Sequence, residues 1–440
     1  MSHLLSIVLT RFKCFSQQEI ALRPATVFTG LNGMGKSSVI QSLLLLRQSA
    51  RANLLRPAVR GSGPSGLLLN GDLLRLGTAY EVLHESAEVD DVGIVLRDED
   101  DAHTWQFEAR GSADLLPMLT GPTNLPALAL FGESFAYLGA ERIGPRVLHA
   151  LSASQVERAD LGADGSFAVA FLDAQGARTV SSALRHQDAA SFGLLSQVTA
   201  WMGEVSPGVR VNTESLSGVS AARLSFGFAL GAATTRPLRP TSVGFGLSYT
   251  LPVVVALLAT PPGGLVLIEN PEAHLHPRGQ MAMGELIARA ASAGVQVLVE
   301  THSDHVLNGL RLAVKDGLIS HDRVALHFFR RTEREEDGVA RIRHVVDSPT
   351  LDADGRIDEW PEGFFDQYDL ALGRSMISAL RASSDTHVMR SIDASRARRR
   401  CGRRCAGTQN ARNAAFGSGE CRRHLSSRRC IATARQRRRR

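Results

Sequence analysis

The sequence predicts an α/β fold built on a largely parallel sheet, and three observations carry this. Short apolar runs that read as buried strands alternate with helix-like segments along most of the chain. A glycine-rich turn joins the strand-like residues 26–29 to a helix-like segment beginning near Lys36. The polar residues that bear chemistry, Glu269 and Thr301-His302-Ser303, directly follow buried runs. That position is the carboxyl edge of a parallel sheet, where ligands bind.

Residues 4–9 and 19–22 read as strands joined through Arg11-Phe12-Lys13-Cys14-Phe15. Next comes TVFTGLNGMGKSSVIQSLLLLRQS, residues 26–49, in which Gly30, Gly35, Lys36 and Ser37 fit G-x-x-x-x-G-K-[ST]. Glycines at this spacing let successive backbone N–H groups turn inward to form an anion nest. The following helix adds its unsatisfied N–H groups and the positive end of its dipole. Lys36 is placed to reach the β- and γ-phosphates, and the Ser37 hydroxyl to hold Mg²⁺. Asn32, Gly33 and Ser38 complete the expected nucleotide-binding set. A glycine turn that merely caps a core helix is the plainer reading, but strand, loop and helix stand in the order a phosphate loop requires. The expected cofactors are ATP and Mg²⁺.

Residues 61–71 turn to Gly, Ser and Pro and read as a surface loop. Strand-like GIVLRD and HTWQFEAR follow, and residues 111–130 read as a linker or lobe boundary. A second lobe is expected to open at residue 135, with a helix over 191–205 and strands near 209–213 and 222–230. No sustained heptads run between 110 and 240, so no long coiled-coil arm is expected. Residues 241–260 are a glycine turn entering an apolar helix. Leu265-Val266-Leu267-Ile268-Glu269 is four apolar residues and a carboxylate, a Walker-B-type strand. Glu269 is expected to hold Mg²⁺ directly or through water. Gly246 precedes Glu269 by 23 residues, room for a helix of about 13 residues, a turn and one strand. His302 lies 33 residues beyond Glu269, room for one helix and the neighbouring strand. The expected organisation is an ATPase lobe split between 1–110 and 261–330, an inserted lobe over 111–260, a short C-terminal domain over 331–383, and an arginine-rich tail over 384–440.

Charge and cysteines divide along the same lines. The formal net charge is +6, but residues 391–440 hold 16 arginines against Asp393 and Glu420. Residues 1–390 therefore carry 34 basic against 42 acidic side chains, a balance of −8. A nucleic-acid argument from overall charge would rest on the tail alone. Cys14 is the single cysteine before the tail, which fits a reducing compartment. The start of the chain shows no leader pattern and no apolar run approaches the roughly 18 residues that span a bilayer. A cytoplasmic protein without a membrane partner is the expectation. Cys401, Cys405, Cys421, Cys430 and His424 lack the paired spacing of a zinc site. The tail lacks apolar periodicity and is expected to be disordered; it reads either as a basic arm for nucleic acid or as out-of-frame translation of GC-rich DNA, since Lys13, Lys36 and Lys315 are the chain's only lysines.

P-loop, glycine turn with helix, acidic strand end and histidine strand end occur in one order, and this order resembles the ABC-type ATPase heads of the SMC, RecF and OLD group over about residues 1–330. The fold it implies is a P-loop NTPase of ABC-ATPase type with a second, inserted lobe and a short C-terminal extension. RFKCF is similar to the group's N-terminal basic element, which places Lys13 on the nucleotide phosphates. Ser242, Gly244 and Gly246 fall where those heads carry the signature motif, and His302 matches the switch histidine. AERIGPR, WMGEVSPGV, ENPEAHLHP and PEGFFDQ look like stand-alone bacterial AAA-family ATPases that end in a short domain of unknown function. The resemblance implies a head-to-tail homodimer that sandwiches two ATP, each site closed by the neighbour's signature turn.

One departure bears on catalysis. Many ABC ATPases follow the metal carboxylate with a glutamate that polarises water, and here that position is Asn270. An amide cannot accept a proton. Either Glu272 supplies the carboxylate, or His302 and the second subunit orient the water; slow hydrolysis assisted by Glu272 is favoured. His274 and His276 fit a dimer-facing loop better than a metal site, and Arg142 reads equally as a structural residue or a phosphate contact. The implied function is an ATP-driven switch in DNA maintenance or anti-phage defence, acting on a protein effector encoded nearby. The rival is a RecF-like ATP-gated clamp with DNA as ligand, against which the −8 balance argues. A P-loop kinase would leave the signature turn and His302 without a task.

Overall fold

The computed structural model describes residues 3–56, 63–216, 218–231, 233–336 and 339–361. The chain opens with β1 (Ser6–Phe12) and β2 (Phe15–Ala21), an antiparallel pair. Next, β3 (Ala25–Gly30) runs into the phosphate loop and α1 (Lys36–Arg51). Every residue of β3 before Gly30 is buried, which is why it reads as a continuous apolar run and not as an alternation. In α1, Leu43, Leu44, Leu45 and Leu46 are all fully buried. Truncating one of them to alanine is expected to cost about 2–5 kcal/mol.

β4 (Gly66–Leu68), the single turn α2 (Ala79–Val82), β5 (Asp91–Arg97), β6 (Ala102–Glu108) and β7 (Leu115–Thr120) follow. They complete an antiparallel sheet in the order β2-β1-β5-β6-β7-β4. β8 (Phe135–Leu138) leads to a lobe of β9 (Leu148–Ala150), α3 (Ala153–Glu157), α4 (Ala168–Gln175), α5 (Leu194–Val205), β10 (Val209–Ser215), β11 (Ala221–Leu230) and β12 (Ala233–Thr234). There β11 pairs with β9, β10 and β12.

The chain then returns through α6 (Phe245–Ala259), β13 (Leu265–Glu269), α7 (Pro277–Ser292), β14 (Gln296–Glu300), α8 (Asp304–Lys315), β15 (Val324–Glu336) and β16 (Val339–Asp347). The second six-stranded sheet runs β16-β15-β3-β14-β13-β8. Its members from β15 to β8 are parallel, and β16 is an antiparallel edge. Side chains of β13 alternate between two cores, as strand geometry requires. Leu265 and Leu267 pack with α1 and the antiparallel sheet, whereas Val266 and Ile268 pack with α4 to α7. A helix buried on nearly all sides is apolar around its whole circumference, and α6 is such a helix from Leu251 to Ala259.

Three expected boundaries shift. The lobe does not divide at 110: β7 lies beyond it and pairs with β6 and β4. β8 does not open the second lobe but edges the parallel sheet beside β13. Residue 331 falls within β15, which pairs with the phosphate-loop strand itself. The loop expected over 61–71 also contains β4, with Leu67 fully buried. β4, β8 and β15 pair with strands far along the chain, and local composition carries no record of that. The tail with its cysteines, and residues 362–367 of PEGFFDQ, lie outside the described residues.

Candidate nucleotide site

The sheet order brings three loops to one edge. β14 lies between β3 and β13, so the histidine-bearing turn sits between the glycine loop and the Walker-B-type turn.

The glycine loop needs its glycines. Gly30, Gly33 and Gly35 have φ of 135°, 76° and 107°, values that L side chains rarely adopt. A Cβ on Gly30 would stand 2.2 Å from the Phe329 carbonyl oxygen, and one on Gly35 2.7 Å from both Cys14 Sγ and Phe15 Cζ. Gly35 caps α1, whose first turn carries no acidic residue, so its backbone donors are left for an anion. Lys36 is 3% exposed and donates to the carbonyls of Gly30 (3.0 Å) and Leu31 (2.9 Å). Burial lowers its pKa, and Glu300 opposes that shift. Ser38 is buried in the first turn of α1, where its backbone N–H donates to the Gly35 carbonyl. Asn32 is exposed at the loop's crest.

Ser37 Oγ donates to Glu300, at 3.0 and 2.9 Å from its two carboxylate oxygens. Lys36 Nζ stands 3.9 Å from the same carboxylate. Burial and the neighbouring Glu269 push the Glu300 pKa up to about 7, with Ser37 and Lys36 pulling the other way. Glu269, which the sequence places on the metal, accepts instead from the Tyr137 hydroxyl at 2.9 Å. Its pKa is raised, chiefly by burial. Glu269 and Glu300 are register partners on adjacent strands. Sequence analysis overlooked Glu300. The available signal was that Val297-Leu298-Val299-Glu300 repeats the pattern of Val266-Leu267-Ile268-Glu269: buried residues closed by a carboxylate.

Glu272 is engaged on both oxygens, accepting from Thr301 Oγ1 (2.7 Å) and the His302 backbone N–H (2.8 Å). It ties the Walker-B-type turn to the histidine turn. His302 itself is exposed; desolvation first and Lys36 second lower its pKa. Ser303 caps α8, accepting from the Val306 N–H at 3.1 Å, which fixes the turn that carries His302. Asn270 adopts φ 47°, and its Oδ1 is buried without a hydrogen-bond partner.

Arg142 is resolved as a structural residue. It is 5% exposed and donates to the carbonyls of Gly139, Glu269, Asn270 and Tyr249 at 2.7–3.2 Å. Its guanidinium lies 4.5 Å over the Tyr249 ring. Lys13, at φ 51°, donates to Gln41 Oε1 on α1 at 2.6 Å, which places it beside the helix that Lys36 opens. Ser242 and Gly244 are both exposed, Gly244 as the cap of α6. Gly246 packs against the backbone of the Walker-B-type turn, where a Cβ would come 2.5 Å from the His274 carbonyl oxygen. The His274 ring lies 4.5 Å from that of Phe245 and 5.0 Å from that of Tyr249. The aromatic contact is its visible role. His276 Nδ1 accepts from the Arg278 N–H and caps α7.

The donor set fits a nucleotide with a hard cation. Backbone N–H groups, a buried lysine, a serine hydroxyl and carboxylates at strand ends are what a triphosphate and Mg²⁺ take. Among the described residues no helix is long and apolar enough to cross a membrane.

Residues 161–308 match the family described as "AAA domain, putative AbiEii toxin, Type IV TA system", and residues 319–374 match "Protein of unknown function (DUF3696)". Together they bear out the likeness to AAA-family ATPases that end in a domain of unknown function. The first match begins after the phosphate loop. No curated protein matches the chain. Similar solved structures include an Smc head bound to the C-winged helix domain of ScpA (15% identity, 78% of this chain and 97% of that one, TM-score 0.41). Two others are the SMC head domain from Thermotoga maritima (13%, 78% and 99%, 0.38) and an Smc head with an extended coiled coil bound to the C-terminal domain of ScpA derived from Pyrococcus furiosus (12%, 78% and 96%, 0.42). With scores this low, the P-loop α/β assignment rests on strand order and loop geometry.

Proposed function

We propose that the chain is an ATP-binding and ATP-hydrolysing switch that works as a head-to-tail homodimer. One observation carries this reading: a glycine loop that tolerates no side chain at Gly30 or Gly35 leads directly to a buried lysine and a serine hydroxyl facing a carboxylate. Gly30, Asn32, Gly33, Gly35, Lys36, Ser37 and Ser38 bind the phosphates, and Lys13 flanks them from β1's end. On nucleotide binding, Lys36 exchanges the carbonyls of Gly30 and Leu31 for phosphate oxygens. Ser37 and a strand-end carboxylate would hold Mg²⁺, which would supply positive charge against the phosphates. His302 flanks the γ-phosphate, and Glu272 keeps it in place through its backbone.

Asn270 has no proton-accepting role, and both oxygens of Glu272 are committed to Thr301 and His302. Slow turnover follows, with Glu272 assisting by position. Ser242 and Gly244 are exposed at the start of α6, and Gly246 anchors that start against the His274 carbonyl. In the dimer these N–H and hydroxyl groups close the neighbour's site, excluding water that would otherwise screen the catalytic charges. The description attached to residues 161–308 speaks of a toxin–antitoxin system. That favours a defence role acting on a protein effector over DNA maintenance.

Sedimentation of the full chain with ATP and a Lys36-intact, hydrolysis-impaired variant tests the reading. A nucleotide-dependent dimer is expected, with slow phosphate release by the unaltered protein. Monomer alone under saturating ATP would overturn the dimer.

A further inference from the structure

We propose that Glu300, and not Glu269, is the carboxylate that shares the metal ion with Ser37, while Glu269 is a positioning residue held by Tyr137. This rests on the nucleotide-binding reading and assigns the metal side of that same site.

Strand order gives the first argument. Neighbouring strands lie about 4.8 Å apart, so a residue on β14 starts one strand from the phosphate loop and a residue on β13 starts two, roughly 10 Å away. Both chains are glutamates of equal length, and they stand in register. The nearer one reaches Ser37.

Contacts give the second. Both oxygens of Glu300 lie within hydrogen-bond distance of Ser37 Oγ. Magnesium is commonly held through one or two protein carboxylates together with phosphate oxygens and water. A serine hydroxyl already bonded to a carboxylate is the protein half of such a set. Glu269 lies beside Glu300 but accepts from a tyrosine hydroxyl on β8, and no hydrogen bond joins it to Ser37. The backbone carbonyls of Glu269 and Asn270 are held by Arg142. The end of β13 is thus a braced corner, and the end of β14 is the one that meets the loop. Glu272 is not a competitor, because its oxygens hold the turn that follows β14.

Lys36 does not contradict this. At 3.9 Å it is beyond a direct hydrogen bond to Glu300 and is committed to two loop carbonyls. A phosphate that draws the ammonium away leaves Glu300 and Ser37 facing the same cation.

The test is calorimetry of a non-hydrolysable ATP analogue binding to the full chain, in Mg²⁺ and in EDTA, for the unaltered protein, Glu300→Gln, Glu269→Gln and Ser37→Ala. The ratio of the two affinities reads the metal without any turnover. Glu300→Gln is expected to lose about 10- to 100-fold of that ratio, with affinity in EDTA retained. Ser37→Ala combined with it should lose little more. Glu269→Gln should keep most of the ratio. Glu300→Asp, which restores a carboxylate, should recover part of it, and its melting temperature guards against a variant that has failed to fold. A Glu300→Gln protein with the full ratio, or a loss confined to or shared equally by Glu269→Gln, overturns the assignment. If the unaltered protein binds no nucleotide in either buffer, the nucleotide reading itself has failed.

Discussion

The phosphate loop and the signature turn are both glycine-rich starts of buried helices, yet their surroundings are opposite. Around the loop the lysine and serine side chains have partners in their own chain: Lys36 holds Gly30 and Leu31, and Ser37 holds Glu300. Around the turn, the groups that matter point outward. Ser242 and Gly244 are exposed, and Phe245 is 43% exposed despite its contacts with His274 and Tyr249. The loop's lysine and serine are held within their own chain, whereas Ser242 and Gly244 are left to solvent. The turn's inner side, by contrast, is anchored: Gly246 sits against the His274 carbonyl, and Arg142 joins Tyr249 of the same helix to the carbonyls of Glu269 and Asn270. A shift at the end of β13 is therefore mechanically continuous with the turn that would serve a neighbouring copy.

Substitutions on each side should separate binding from assembly. The largest effect is expected for Lys36→Ala, which removes the one buried charge aimed at the phosphates. Nucleotide affinity by calorimetry should fall by about 3 kcal/mol, more than 100-fold, and the ATP-dependent dimer should vanish with it. Ser242→Ala should do the reverse. Affinity of the monomer for nucleotide should stay unchanged, while turnover measured by phosphate release drops about 100-fold through the loss of one closing donor. Equal losses of affinity in both variants would erase the distinction between the loop and the turn.

A third effect probes the floor of the loop. His327 on β15 is 2% exposed, stacks on Phe28, and bonds the Ala21 carbonyl and Ser348 Oγ. Burial lowers its pKa from 6.5 to about 4. Below pH 6.5 the unfolded chain gains a proton here that the folded chain refuses, so this contribution to stability is present at neutral pH and lost as pH falls. Urea unfolding should show about 2 kcal/mol less stability at about pH 5 than at about pH 7 from this residue. His327→Gln should flatten that dependence. The smallest effect is expected for Tyr137→Phe, which leaves Glu269 without its donor and should cost about 1 kcal/mol in unfolding free energy. A large loss of metal dependence in this variant would move weight back onto Glu269.

The loop was readable because its constraint is local: the left-handed turns at Gly30, Gly33 and Gly35 and the helix at Lys36 are decided by neighbours a few residues away. His302 was readable for the same reason, as the residue just past a buried run. Glu272 was picked for a proton-accepting task, and the fold uses its oxygens to hold Thr301 and His302. Glu300 escaped notice, although it closes its strand as Glu269 closes the other. What separates the two glutamates is which strand lies next to β3, and no local pattern encodes that.

Taken alone, the sequence determined the strand–loop–helix unit, the acidic strand end at Glu269, the histidine turn and the mildly acidic balance of residues 1–390. These follow from backbone preference, hydrophobic periodicity and composition, all short-range properties. Tertiary structure decided that β14 inserts between β3 and β13, that Arg142 braces a turn about 130 residues away, and that β15 joins the loop strand instead of starting a new domain. Those outcomes depend on pairing between distant strands, where burial of whole faces selects the partner.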